Sequence, residues 1–207
     1  MTFRRWPGKS VPGRCLRHYS AVVEITYQRF TSTDAEELVD FLSGDTWPFH
    51  GSDVVDQAEA RQWIGEGRYD GQDNRAFWIT VAGERTGVVR LMDLCDDTPL
   101  FDLRIRSELR GRGLGGQALT WLTRYVFTEF AQVQRIEGTT RQDNVAMRRA
   151  FQRCGYAKEA HYRDAWPAAD GTVRDAVGYA ILRRDWLSGN TTVPDWHDER
   201  IFGSGGV

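Results

Sequence analysis

The residues with the clearest chemical meaning form a glycine-rich segment at positions 110–116, with the sequence Arg-Gly-Arg-Gly-Leu-Gly-Gly. The segment joins a strand-like stretch to a helix-like one. Glycine allows a tight turn and a close approach of the main chain to a ligand. Free N–H groups and the positive dipole end of the following helix attract a phosphate. The segment therefore predicts an anion site, and a diphosphate is the expected ligand.

Two common nucleotide-binding patterns do not fit this glycine turn. The phosphate loop of nucleoside triphosphatases ends in Gly-Lys-Ser/Thr, whereas Gly115-Gly116-Gln117 supplies neither the lysine nor the hydroxyl. The dinucleotide fingerprint Gly-x-Gly-x-x-Gly differs in spacing from Gly111-x-Gly113-x-Gly115. A kinase, a GTPase or a dinucleotide-dependent enzyme is therefore not indicated.

Composition places the chain among soluble globular proteins. Its 207 residues, 41% of them hydrophobic, suffice for one domain with a substantial core. No apolar run approaches the roughly 20 residues of a membrane span, so no membrane partner is expected. A net charge of -2 argues against a general nucleic-acid partner. The three cysteines and four histidines show no metal-ligand spacing, so we expect a cytoplasmic protein without a metal.

Apolar periodicity in the first half predicts the elements that must position the glycine turn. A strand over 22–30 leads into two helices. The first helix starts at a capping box that begins at Thr33, and the second covers about 53–64. Two strands follow as a hairpin, over 76–82 and 88–94.

The second half begins with an alternating strand over 100–106 that leads directly into the glycine turn. A helix to about residue 130 and a short strand over 135–140 follow. Asn144 then caps another helix, and the turn Asp170-Gly171 separates two final strands. The prediction is a single domain over 22–186, with a loose N-terminal extension over 1–21 and a C-terminal tail over 187–207.

The element order and several short motifs resemble the GNAT N-acetyltransferase superfamily. The glycine turn matches its Arg/Gln-x-x-Gly-x-Gly/Ala motif as Arg110-x-x-Gly113-x-Gly115. The segment 144–156 resembles the Asn-x-x-Ser…Gly-Phe segment of the RimJ/RimL-like branch, which contains ribosomal-protein N-terminal acetyltransferases. The resemblance implies an α/β (α+β) fold with a mixed, mostly antiparallel central sheet. About six to seven strands, flanked by about four helices, are expected to splay between the fourth and fifth strands.

The resemblance also implies acetyl-coenzyme A as the cosubstrate. Main-chain amides of the glycine turn would hold its diphosphate. Main-chain groups of the preceding strand would bind the pantetheine arm and polarise the thioester carbonyl, and Asn144 would hydrogen-bond the arm. The implied coenzyme-binding residues are Leu103, Arg104, Ile105, Arg110, Gly111, Arg112, Gly113, Leu114, Gly115, Gly116, Asn144 and Arg149.

Two positions depart from the superfamily pattern. Many members have a tyrosine that acts as general acid where this chain has Phe151. Many members of the branch have serine where it has Met147. Neither side chain can donate a proton. Because a thiol with a reference pKa of ~8.5 can leave with help from water, the expected mechanism is weakened but the binding site is not.

An alkyl ammonium has a reference pKa of ~10.4, so a group must accept its proton before the amine attacks. Asp102 is one candidate catalytic residue, because it lies on the polar face of the strand that should line the acetyl group. Its alternative role is an ion pair with Arg104 on the same face. Glu137 on the adjacent strand is the second candidate, with a solvated strand position as its alternative.

Four residues are candidates for binding the acceptor substrate: Trp47, Phe49, His50 and Asp93. The first three lie between the two early helices, where this fold commonly shapes its acceptor pocket. Aromatic rings there could stack on a cationic amine, and their alternative role is to cover the core. Asp93 could neutralise a cationic substrate or could simply be solvated.

The sequence thus predicts an acetyl-coenzyme A-dependent N-acetyltransferase that acts by direct transfer to a primary amine. The pocket candidates suit a small cationic molecule such as a polyamine or an aminoglycoside, whereas the branch resemblance suits a protein N-terminus. An alternative is a coenzyme-binding protein of this fold with little catalysis, consistent with Phe151 and Met147. A homodimer through the final strands or the tail is a further expectation.

Overall fold

The structure, a computed structural model, describes residues 24–168 and 170–196. The predicted N-terminal extension lies outside the described residues, as does the predicted tail from residue 197 onward. Within the described residues, no helix is both long and apolar enough to cross a membrane.

Seven strands of the described residues form one sheet. They are β1 (Ile25–Arg29), β2 (Arg75–Val81), β3 (Glu84–Met92), β4 (Leu100–Ile105), β5 (Arg135–Arg141), β6 (Ala157–Pro167) and β7 (Val173–Leu182). Their order across the sheet is β1-β2-β3-β4-β5-β7-β6. Neighbouring strands are antiparallel except β4 and β5, which run parallel. The mixed, mostly antiparallel sheet confirms the predicted fold class.

The α-helices of the described residues flank this sheet. They are α1 (Ala35–Ser43), α2 (Gln57–Gly65), α3 (Leu114–Glu129), α4 (Val145–Arg153) and α5 (Arg183–Ser188). Short 3-10 helices precede α1 at Ser32–Asp34 and the glycine turn at Ser107–Leu109. The fifth helix lies across the junction where the sequence predicted the domain to give way to a tail.

Two helix starts differ in detail from the prediction. The backbone N–H of Thr31 donates to Asp34 Oδ2 at 3.0 Å, so the capping interaction lies two residues before the predicted box. The second helix begins at Gln57 because Asp56 caps it, accepting a hydrogen bond from the Glu59 N–H at 2.8 Å. The residues before this cap form the long loop 44–56 between α1 and α2.

Two hydrophobic cores lie on opposite faces of the sheet. The larger core packs α3 and α4 against the sheet, and the smaller core packs α1 and α2 against the other face. Gly138 on β5 permits close packing in the larger core. A Cβ atom at this position would lie 2.7 Å from the Phe151 ring and 2.8 Å from the Phe101 ring. The large rings therefore press directly onto the backbone of β5.

The sheet opens between its fourth and fifth strands. Strands β4 and β5 pair at a single position, Leu100 with Glu137. On its other edge β4 pairs with β3 along its whole length, from Leu100 to Ile105. The end of β4 that carries Leu103 and Ile105 therefore diverges from β5, as predicted. This divergence leaves main-chain groups of β4 without a strand partner on that side.

Candidate functional site

A cavity of about 600 Å³ opens where β4 diverges from β5. The loop 44–56, the glycine turn and the start of α4 complete its wall. It brings together most of the residues predicted from the sequence to bind coenzyme or substrate. Those that line it are Trp47, Phe49, His50, Leu103, Ile105, Arg110, Gly111, Gly113, Leu114, Gly115, Gly116, Asn144 and Arg149.

The glycine turn has the backbone geometry of an anion site. Gly111 and Gly113 have φ angles of 77° and 84°, in the left-handed region that favours glycine. Gly113 is the N-cap residue of α3. Because the first turn of a helix has no intrahelical acceptors for its N–H groups, the amides of residues 114–116 are available at the cavity wall. A Cβ atom on either Gly111 or Gly113 would meet nothing within 4 Å, so the space before the turn is open.

The side chain of Arg110 points away from this anion site. Its Nε donates to the carbonyl of Ile105 at 2.8 Å, and its Nη2 donates to the carbonyl of Thr46 at 2.6 Å. Its guanidinium also lies 5.4 Å from the centre of the Trp47 ring. Arg110 therefore contributes main chain to the cavity, while its side chain holds the loop 44–56. Arg112 is exposed and does not line the cavity.

The side-chain amide of Asn144 makes hydrogen bonds within the protein. Its Oδ1 accepts from the backbone N–H of Met147 at 3.1 Å, which caps α4 as the sequence predicted. Its Nδ2 donates to Thr140 Oγ1 at 3.0 Å, which ties the helix start to the end of β5. Asn144 therefore fixes the wall of the cavity, whatever contact it makes with a ligand.

Phe151 lies in the core and not in the cavity. It is 1% exposed and stacks on Tyr179 with ring centres 4.6 Å apart. Met147, in contrast, lines the cavity. The position where the resemblance implies a proton donor is thus an apolar contact here.

The aromatic residues of the loop 44–56 are less available than the sequence suggested. Trp47 is fully buried at 0% exposure, and its indole N–H donates to the Leu42 carbonyl at 2.8 Å. The guanidiniums of Arg104 and Arg110 lie 5.3 and 5.4 Å from the ring centre. Trp47 therefore takes the alternative role of a core residue. The predicted stacking of this ring on a substrate cation does not fit, since two protein cations already contact it.

The ring of Phe49, like that of Trp47, is in contact with a cationic side chain of the protein. The guanidinium of Arg141 lies 4.7 Å from the centre of its ring. Arg141 also donates to the Pro48 carbonyl at 3.0 Å and pairs with Asp143 at 2.7 Å. The end of β5 thus fastens the loop that forms one wall of the cavity. The sequence analysis missed Arg141, although its place at the end of the strand that borders the opening was a usable signal.

Asp102 lies beside the cavity in a network of charges. Its Oδ1 is 3.1 Å from His50 Nε2, and its Oδ2 accepts from Arg104 Nε at 3.0 Å. Burial alone would raise the pKa of this carboxyl, but the guanidinium of Arg104, the neighbouring His50 and the guanidinium of Arg90 hold its pKa far below the usual range. The carboxylate stays ionised at neutral pH and is a poor proton acceptor. The ion pair with Arg104, left open by the sequence, is present.

His50 occupies the point where this network meets the cavity. Its side chain is 20% exposed, and its Nε2 lies 3.3 Å from the Leu103 carbonyl as well as close to Asp102. Its Nδ1 is buried and has no hydrogen-bond partner among the described residues. The ring thus bridges the buried carboxylate and the diverging part of β4.

The remaining two candidates lie away from the cavity wall. Glu137 is held by Arg135, whose Nη2 donates to it at 2.9 Å, and the same arginine pairs with Glu159. Asp93 is exposed, with a φ angle of 56°. Neither residue lines the cavity, so the structure gives neither a contact with the predicted site. Within the described residues, no group of three or more His, Cys, Asp or Glu side chains could hold a metal ion.

A family profile described as the acetyltransferase (GNAT) domain matches residues 24–157, which is more than half of the chain. This protein belongs to the GNAT acetyltransferase family. The match spans the sheet up to the start of β6, including the glycine turn and all of α4. No curated protein matches the sequence.

Solved structures show the same GNAT fold. The spermidine N-acetyltransferase from Vibrio cholerae in complex with CoA and spermine has a TM-score of 0.66 at 18% identity, covering 79% of this chain and 98% of that chain. A probable acetyltransferase has a TM-score of 0.64 at 23% identity, covering 78% of this chain and 94% of that chain. A dodecameric structure of the Vibrio cholerae enzyme has a TM-score of 0.65 at 17% identity, covering 80% and 97%. At these identities the likeness concerns the fold.

Proposed function

We propose that this GNAT protein transfers the acetyl group of acetyl-coenzyme A directly to a primary amine. One observation carries the proposal: the amide-rich glycine turn and the diverging part of β4 open into the same cavity. A ligand with a diphosphate at one end and a thioester further along needs both features. The family assignment and the fold support the same reaction class.

The residues present fit acetyl-coenzyme A. Amides of residues 114–116 would hold its phosphates at the start of α3, and Arg149 borders the same cavity. Main-chain groups of Leu103 and Ile105 would orient its arm along β4. The apolar side chains of Leu109 and Met147 line the space between and would exclude water. Bound there, acetyl-coenzyme A would supply the activated acyl carbon.

Direct transfer is favoured over an acetyl-enzyme by the positions of Cys95 and Cys154, the two cysteines among the described residues. Cys154 lines the cavity, but its Sγ lies 3.4 Å from the Gly116 carbonyl and 3.3 Å from Thr120 Oγ1, at the phosphate end. Cys95 is exposed and does not line the cavity. Neither thiol is beside the diverging part of β4, where the thioester is expected.

The acceptor is proposed to be a small cationic amine or a protein N-terminus. A structural neighbour was solved with spermine, which supports the first class. The motif in residues 144–156 supports the second class and, with it, the RimJ/RimL-like branch. A cytoplasmic location is proposed from the cysteines, whose spacing indicates neither a disulfide framework nor a zinc site. No acidic side chain of the described residues lines the cavity, so recognition of a long polycation would need residues outside this wall.

A panel assay tests the proposal. The full chain is mixed with acetyl-coenzyme A and either a polyamine, an aminoglycoside or a peptide with a free N-terminus. Release of free thiol and addition of one acetyl group by mass spectrometry are the expected results with at least one amine. The same peptide with a blocked N-terminus and no lysine is the matched control. Absence of measurable coenzyme A binding by calorimetry would contradict the proposed site.

A second function, coenzyme binding without turnover, is favoured by one observation. Phe151 replaces the expected proton donor and is fully enclosed in the core. That alternative predicts saturable coenzyme A binding together with no acetylation of any amine in the panel. The panel assay therefore separates the two functions.

A further inference from the structure

The wall of the cavity offers few groups that could accept a proton. Histidine and cysteine are the lining residue types able to do so near neutral pH, because arginine remains charged in proteins. Cys154 lies at the phosphate end, against Gly116. His50 lies against Leu103, on the diverging part of β4. Within the part of the chain that the structure describes, elimination therefore leaves one side chain at the end of the cavity where the reaction is proposed to occur.

The hydrogen bonds of His50 fix which nitrogen can act. Asp102 is an anion, so the ring nitrogen that faces it at 3.1 Å, Nε2, carries the proton and donates it to the carboxylate. In that tautomer Nδ1 holds a lone pair. The atom is buried without a hydrogen-bond partner among the described residues. An unpaired buried acceptor is costly, and a donor arriving with the substrate would satisfy it.

From this geometry we propose that His50 is the general base of the acetyl transfer and that Asp102 is the residue that positions it. The inference rests on the proposed function and assigns the proton to a residue that the sequence placed among the substrate contacts. In this proposal His50, and not Asp102 or Glu137, accepts the amine proton. Because Nδ1 is shielded, the incoming amine must displace neighbouring side chains slightly, as catalytic contacts commonly tighten only in the complex.

The proposed step balances in atoms and charge. His50 Nδ1 takes one proton from the substrate ammonium, which frees the nitrogen lone pair. The nitrogen–carbon bond forms as the carbon–sulfur bond breaks, and the electron pair of that bond leaves with the sulfur. The second proton of the reacting nitrogen reaches the thiolate through water, because Phe151 cannot donate one. His50 then returns its proton to solvent, leaving an amide and free coenzyme A.

Charged groups from several elements surround the imidazole. Asp102 and Arg104 lie on β4, and Arg90 lies directly across from Asp102 on β3. Arg141 reaches from β5 to the neighbouring Phe49. Asp102 is the group in direct contact with the ring, so it is the anion that stabilises the imidazolium when the proton arrives. Arg104 holds the other oxygen of that carboxylate and keeps it turned toward the ring.

The chain contains a matched control pair. His161 and Asp175 also make a histidine–aspartate contact, at 2.7 Å between Nε2 and Oδ2. This pair joins β6 to β7 on an exposed surface and does not line the cavity. A histidine–aspartate contact without the cavity should have no catalytic role. His161→Gln is therefore the reference variant for His50→Gln.

The test measures kcat/KM against pH for the amine found in the panel assay, with coenzyme A affinity measured in parallel by calorimetry. His50→Gln should lower kcat/KM at neutral pH by about 100-fold or more. Coenzyme A affinity should stay within about twofold, because the phosphate end is untouched. The difference in kcat/KM between His50→Gln and the wild-type protein should become smaller at high pH, where the free amine forms without a base. His161→Gln should match the wild-type protein in both measurements.

Three further variants test the roles of His50 and Asp102. His50→Ala leaves a space beside Asp102, and added imidazole should restore part of its turnover. Asp102→Asn should lower kcat/KM, because the imidazolium that forms on proton transfer loses its anion. Asp102→Glu should recover part of the lost turnover. A purely structural role for His50 would give neither imidazole rescue nor a changed pH profile.

The outcomes distinguish this inference from the proposed function. Full activity of His50→Gln, in a protein whose wild-type form acetylates an amine, would overturn the assignment and leave the proposed function intact. Equal losses in His50→Gln and His161→Gln would also overturn it. Wild-type protein that binds coenzyme A but acetylates nothing would overturn both proposals together.

Discussion

The two ends of the cavity are formed by different kinds of chemical group. The phosphate end consists of seven consecutive residues, 110–116, that present main-chain amides and open space. The opposite end consists of side chains from the loop 44–56, β4 and β5, joined by ion pairs and ring contacts. One end is local in sequence, and the other exists only after the chain has folded.

This contrast separates two kinds of sensitivity to mutation. A main-chain site tolerates many side chains, but it needs glycine wherever the φ angle is positive. A side-chain network depends on each partner, because removing one leaves another buried and unpaired. Variants at the two ends should therefore fail differently: loss of ligand affinity at the phosphate end, and loss of stability and turnover at the other.

The largest effect is expected for Asp102→Asn. The change removes the anion between Arg104 and His50 while preserving shape. Breaking one member of a buried ion pair typically costs about 3 kcal/mol or more in the free energy of unfolding. Urea denaturation at pH 7 measures the loss. Stability equal to that of the wild-type protein would show that the network contributes nothing to folding.

The same variant tests the pH dependence of stability. The folded-state pKa of Asp102 is lowered, so its contribution is present above the unfolded-state value of ~3.9 and is lost as pH falls below it. The difference in unfolding free energy between the wild-type protein and Asp102→Asn should therefore shrink below about pH 4. A constant difference between pH 3 and pH 7 would contradict the lowered pKa.

An intermediate effect is expected for Gly113→Ala at the phosphate end. The φ angle of 84° makes any side chain unfavourable there by about 1 kcal/mol or more, and the methyl group would enter the space left for a phosphate. Coenzyme A affinity should fall about tenfold, which corresponds to ~1.4 kcal/mol. Calorimetry measures the affinity, and turnover at saturating coenzyme should change little.

Gly65→Ala provides the matched glycine control. Gly65 ends α2, has no positive φ angle, and a Cβ atom there would meet nothing within 4 Å. This variant should leave coenzyme A affinity unchanged. If both alanine variants weaken binding equally, the effect of Gly113→Ala cannot be assigned to the turn.

A smaller effect is expected for Asn144→Ala, which removes the cap of α4 and its bond to Thr140. Loss of a helix cap typically costs about 1 kcal/mol. For a chain of this size the melting temperature should fall by roughly 2–4 °C. Thermal unfolding measures the shift. Asn144→Asp keeps the capping oxygen and should retain most of the stability.

The smallest effect is expected for Arg149→Ala. This exposed residue borders the cavity, and a contact with a phosphate there would be screened by salt. Coenzyme A affinity should fall by about threefold at low ionic strength, with little difference at 0.5 M salt. Arg112→Ala, at an exposed position off the cavity wall, is the control. Equal effects of the two variants would indicate a general charge effect.

The sequence was sufficient to predict the local structure around the glycine turn, because its determinants are neighbours in the chain. Local patterns predict the strand β4, the glycine turn and the cap at Asn144, and each of the three is present in the structure. The fold followed from the order of such patterns. The additional helix α5 was missed, since its six residues give too short a stretch for apolar periodicity.

The opposite end of the cavity could not be predicted from local patterns. Asp102 had two open roles because strand alternation gives the face of a residue and not its partners. Its contact with His50 joins positions far apart in the chain. Trp47 looked like an exposed loop aromatic, yet α1 and its neighbours bury it completely. Which side of a loop packs against the core depends on contacts between residues far apart in the chain. Local composition does not predict such contacts.

Arg110 belongs to the glycine turn, yet its guanidinium holds the main chain of the loop at Thr46. This hydrogen bond connects the turn to the segment of the loop that leads to His50. When a ligand orders one of two connected segments, the entropy lost on ordering the other is smaller. Coenzyme and amine should thus strengthen each other's binding, and thermodynamic linkage makes this cooperativity equal in both directions.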